Sequence, residues 1–121
     1  MISSFIRLQV DSLAQHLPTE AVQNTALTTT AANIYVSSGN SATTVLHFCN
    51  YTNNGATANV WVVPAGLAAN SSTIIYSNVA LTSQNTLVVD TEKLILSNGD
   101  AIMANVSINN SVTATVSSIG I

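Results

Sequence analysis

From Asn33 onward, apolar and β-branched runs of four to nine residues alternate with Gly, Asn, Ser and Pro at intervals of about ten. This spacing leaves room for little but strands. The runs are NIYV, TTVLHFCNY, ANVWVV, STIIYS, NTLVVD, EKLIL, AIMANVSI and SVTATVSSI, and none carries convincing helical periodicity. About eight short strands predict an all-β domain of two antiparallel sheets packed as a sandwich, either a jelly roll or an immunoglobulin-like fold.

The punctuation gives local detail. Asn53-Asn54-Gly55 predicts a hairpin between TTVLHFCNY and ANVWVV, because Asn and Gly tolerate positive φ. Pro64 and Gly66 end the second of these strands. Asn98-Gly99-Asp100 and Asn109-Asn110 mark later turns, with Gly99 expected at positive φ. Within VLHFC, Leu46 and Phe48 alternate with His47 and Cys49, so two faces are distinguished. TLVV and KLIL are apolar on both faces, which predicts either central strands or outer faces covered by another chain.

Residues 1–32 differ from the rest and read as an N-terminal arm and linker ahead of a sandwich domain at 33–121. Ile6, Val10, Leu13 and Leu17 fit a helical stripe, while Ile6, Leu8 and Val10 fit a strand equally well. Pro18 ends either element, and TEAVQNTALTTTAA reads as extended linker. Ile2, Phe5, Ile6, Leu8, Val10, Leu13 and Leu17 are too many apolar side chains to leave in water. The arm is therefore expected to pack on a neighbouring subunit.

Charge narrows the function classes. Only 6% of the residues are charged, and no Asp, Glu, Lys or Arg occurs between Ala21 and Val89, where soluble domains average about a quarter. A surface of Ser, Thr and Asn can meet copies of itself at little desolvation cost, since a partnered hydroxyl or amide is far cheaper to bury than an ion. Two basic residues argue against nucleic acid as a partner, because phosphate contacts need Lys and Arg. No apolar run approaches the roughly 20 residues that span a bilayer. The opening MISSFIRLQVDSLAQHLP lacks a basic region ahead of an apolar stretch, so no signal peptide is expected, and with a single cysteine the chain is expected to fold in a reducing cytoplasm.

Few side chains suggest chemistry. His47 and Cys49 share a strand face, but a thiolate and base pair needs an orienting group and an oxyanion site, and a zinc site needs four ligands, for which only His16 remains. Cys49 is expected to be buried in the sheet packing. Asp90, Glu92 and Asp100 read as a solvated bend, with Asp100 capping the Asn-Gly turn. Trp61, Tyr51 and Tyr76 are the candidates for a sugar-stacking platform. No catalytic, cofactor-binding or metal-ligating residue is assigned, and the reading is of a protein that is not an enzyme.

NIYV, TTVLHFCNYT, VWVVP, EKLILSNGDAIMA and the terminal ATVSSIGI together resemble small β-sandwich structural proteins of tailed-bacteriophage particles. The likeness spans roughly residues 33 to 121. It implies a non-enzymatic virion subunit folded in the host cytoplasm, foremost a capsid decoration or cement protein, otherwise a neck, tail or baseplate component. Its implied partners are other virion proteins and copies of itself. A carbohydrate-binding module is the alternative of a different class.

Overall fold

The structure, a computed structural model, describes residues 20–90 and 94–121. These form nine strands: β1 (Glu20–Ala26), β2 (Ala32–Val36), β3 (Ser41–Asn50), β4 (Ala56–Val63), β5 (Ile74–Leu81), β6 (Thr86–Val89), β7 (Ile95–Leu96), β8 (Ala101–Val106) and β9 (Val112–Gly120). The first sheet runs β1-β9-β3-β6, with β7 also on β3, and the second runs β2-β8-β4-β5. All pairs are antiparallel.

The pairing order defines the topology. β1 pairs with β9, β2 with β8, β3 with β6 and β7, and β4 with β5. A chain paired in this nested way is one long antiparallel ribbon, folded at the β4–β5 connection and wound over itself, which is the jelly roll rather than the immunoglobulin-like alternative. The hairpin expected at Asn53-Asn54-Gly55 is not formed: β3 lies in the first sheet and β4 in the second. The reason is packing. Leu46, Phe48 and Asn50 of β3 and Ala56, Ala58 and Val60 of β4 are all buried, and facing each other across the sandwich serves both sets. Gly55 is not among the positive-φ glycines, whereas Gly66 and Gly99 are.

The core brings Phe48, Leu46, Val112, Ala114 and Val116 of the first sheet against Ile34, Val60, Ile102, Ala104 and Val106 of the second. Small residues on β4, β8 and β9 let the sheets approach, and the larger Phe48, Leu27 and Ile34 fill the remaining space. The stretch expected to be linker supplies β1, ahead of the expected boundary at residue 33. Its pattern is weak because an edge strand buries little: Val22, Gln23 and Asn24 are all exposed, and what holds β1 is an uninterrupted ladder to β9. The rest of the expected arm, residues 1–19, lies outside the described residues.

Buried polar groups fasten the ends of the sandwich. Asn50 is fully buried, and its side-chain amide donates to the carbonyls of Asn54 (2.8 Å) and Leu81 (2.9 Å). Its carbonyl accepts from the Thr52 amide (3.0 Å) and hydroxyl (2.8 Å). One side chain thus ties the end of β3 to the loop after it and to the end of β5. At the opposite end, Tyr35 donates to Ser41, which is also bonded to Ser37. No buried side-chain nitrogen or oxygen among the described residues lacks a partner, as low-dielectric burial demands.

Candidate assembly surfaces

Directly paired residues share a face, so the registers give the outer surface of the first sheet row by row. Asn24, Thr115, His47 and Val88 form one row, and Ala26, Thr113, Cys49 and Thr86 the next. Val22, Ser117 and Val45 form a third, and Ile119, Ala42 and Ile95 a fourth. These four rows hold no formally charged side chain. They hold hydroxyls, amides and three markedly exposed aliphatics: Val22 at 67%, Val88 at 46% and Ile95 at 68%.

The two-faced apolar runs TLVV and KLIL resolve in an informative way. They are not central strands: β6 and β7 lie side by side along one edge of the first sheet. Leu87, Val89 and Leu94 pack on the core, so Val88 and Ile95 face outward with no described residue over them. An edge strand with apolar groups on its outer face is what proteins usually blunt with charge or proline.

The outer face of the second sheet is organised differently. Met103, Trp61 and Ile74 form an apolar row across β8, β4 and β5. Beside it runs an amide row, in which Asn59 donates to Asn105 (2.9 Å) and accepts from the Asn78 main-chain amide (2.8 Å). Asn78 has a φ of 51° at an irregular stretch of the β4–β5 register, and this bulge twists the β5 edge away from further pairing. The aromatic platform is not assembled. Trp61 is half-buried on this outer face, Tyr76 pairs with Val60 and packs on the core, and Tyr51 is exposed in the loop after β3.

His47 and Cys49 do share a face, the outer one, with Thr115 and Val88 beside His47 and Thr113 and Thr86 beside Cys49. Cys49 is therefore half-buried and outward-facing, not enclosed in the core as expected, because the inward positions of β3 belong to Phe48 and Asn50. Its cross-strand neighbours are hydroxyls, which supply neither a base nor an oxyanion site. Among the described residues no group of three His, Cys, Asp or Glu is placed to share a metal ion. Asp100 caps its turn: its carboxylate accepts from the amides of Ser97 (2.9 Å) and Ala65 (2.9 Å). Glu92 lies outside the described residues.

The sandwich has two open sides, where the sheets end over each other. On one, Leu27 and Ile34 are fully buried between β1 and β2. On the other, Tyr76 on β5, Leu87 and Val89 on β6 and Leu94 point inward yet remain only partly buried. A hollow of about 230 Å³, lined by Ala80, Leu81, Thr82, Asn85, Thr86 and Leu87, opens at one end of this second side. Sequence reasoning missed this half-open seam, since nothing in a single strand says which edge of which sheet it will occupy.

Such a molecule belongs to the class of small jelly-roll sandwiches. No protein-family model matches the chain, and no curated protein matches it. Among solved structures it is similar in fold to a chain of the Bacillus endospore appendages, a family of disulfide-linked pili. That likeness has a TM-score of 0.51 at 11% identity and covers 85% of this chain and 83% of that one. A chain in the structure of the Gx strain of infectious bursal disease virus matches at a TM-score of 0.36 and 10% identity, over 85% of this chain and 29% of the other.

Proposed function

We propose that the protein is a non-enzymatic structural subunit, one copy among many in an ordered particle, and specifically a virion protein of a tailed bacteriophage acting as a capsid decoration or cement subunit. The observation that carries this is the outer face of the first sheet, free of charge in all four rows and exposing Val22, Val88 and Ile95. Covering those three side chains contributes on the order of 3–5 kcal/mol, which is at or below the cost of immobilising a free subunit. A single such contact does not hold. Repeated contacts around each copy, or an added arm, do.

The resemblance of the strand and turn motifs to tailed-phage sandwich proteins supports the virion reading. So does the fold shared with a pilus chain, since both are built from repeated copies. Other virion proteins and further copies of the chain are then its partners, and the host cytoplasm is where it folds. Copy number in purified particles tests the reading. Stoichiometry comparable to the major shell protein supports decoration, a small fixed number moves the protein to the neck, tail or baseplate, and absence from particles rejects a virion role.

A further inference from the structure

The half-open side of the sandwich has the geometry of an acceptor for one more strand. β6 pairs with β3 in unbroken register from Thr86 to Val89, and no described strand pairs with its other edge. Its inward residues Leu87 and Val89 stand two apart and remain partly exposed, with Tyr76 across from them. β5, the facing edge, is bulged at Asn78 and offers a poorer ladder. A strand added to β6 would satisfy its free main-chain groups and cover those side chains at once, as strand addition does generally.

The sequence carries a segment of matching pattern. Ile6-Arg7-Leu8-Gln9-Val10-Asp11 alternates apolar and polar strictly, so as a strand it would present Ile6, Leu8 and Val10 on one face at the same two-residue spacing as Leu87 and Val89. Building on its role as an assembly subunit, we infer that residues 6–10 of one copy add to β6 of a second copy as an extra strand, turning Ile6, Leu8 and Val10 onto Leu87 and Val89. The sheet order supports a second copy as the source. β1, into which the segment leads, lies at the opposite edge of the first sheet from β6, about 14 Å away at three strand spacings. Donor and acceptor at opposite edges make a head-to-tail contact that passes from copy to copy. A segment bound to its own β6 would have to recross its own sandwich and would leave that copy closed to partners.

Cross-linking of the full-length chain tests this, in a Cys49→Ser background. Gln9→Cys with Val88→Cys probes the solvent side of the added strand, and Leu8→Cys with Leu87→Cys the core side, so that a folding defect in the second pair leaves the first informative. Oxidation is expected to give a ladder of chain-to-chain multimers for at least one pair, and Leu8→Asp to weaken assembly by about tenfold or more. A cross-linked monomer would overturn the second copy as the source. Persistent assembly without any cross-link, still weakened by Leu8→Asp, would overturn β6 as the acceptor while leaving the assembly role standing. A full-length protein that never self-associates or joins a particle would remove both.

Discussion

The two open sides of the sandwich were closed by different means. Where the chain crosses from β1 to β2 the connection begins with Leu27, which drops between the sheets beside Ile34, and main-chain bonds from Leu27 to Val112 and from Val106 to Thr28 lock it there. Where the chain crosses from β5 to β6 the connection is Thr82-Ser83-Gln84-Asn85, with no apolar residue to serve as a plug. Its groups bond to each other and to the β3–β4 loop, through Asn85 to Thr82 and Gln84 to Asn53. The first side is finished within one chain. The second has its apolar groups in place and lacks a cover, which is what distinguishes a surface kept for a partner from one that is merely solvated.

Substitutions can break this contrast. Leu27→Ala should cost about 2–5 kcal/mol in urea unfolding of the dissociated protein, as a filled position with no room to collapse. Asn50→Ala should cost about 2–4 kcal/mol, because it strips partners from the Leu81 carbonyl at the one point where the uncovered side is tied down. Gly99→Val should cost about 1–3 kcal/mol whichever side is considered. Gly99 has a φ of 87°, and a Cβ there would lie 3.0 Å from that of Ala65. Leu87→Ala should cost only about 1 kcal/mol in the dissociated protein, and more once assembled. Equal losses for Leu27→Ala and Leu87→Ala would erase the distinction between the sides. Cys49→Ser should change the unfolding midpoint least, by under about 0.5 kcal/mol, and native Cys49 should react with a maleimide without denaturant. A thiol protected until unfolding would mean the outer face of β3 is covered.

The positions of the strands were largely readable, and their partners were not. Every run singled out from Asn33 onward contains a strand, because turn residues and two-residue alternation are local signals. Sheet membership is not local. Asn53-Asn54-Gly55 has the composition of a hairpin turn, yet it spans the two sheets because the inward faces of β3 and β4 must oppose each other. β1 escaped because EAVQNTA has few apolar residues to bury. Cys49 was misplaced by reading VLHFC as one apolar run rather than as two alternating faces. TLVV and KLIL were the most informative segments, since their two-faced character pointed to a cover the chain itself does not provide.

The place of β9 has a consequence for how the molecule comes into being. It lies between β1 and β3, and its Thr115 hydroxyl meets Asn24 across 91 positions of sequence. During synthesis β1 has no partner in its sheet until Val112 and the residues after it have left the ribosome, so the first sheet cannot close early. Such high contact order makes folding slow, in the millisecond-to-second range typical of non-local β topologies. For all that time the uncharged runs that later bind neighbours are open to premature pairing with other nascent chains. A subunit made in many copies therefore has its yield set by a race between closing on its own last strand and meeting another unfinished chain.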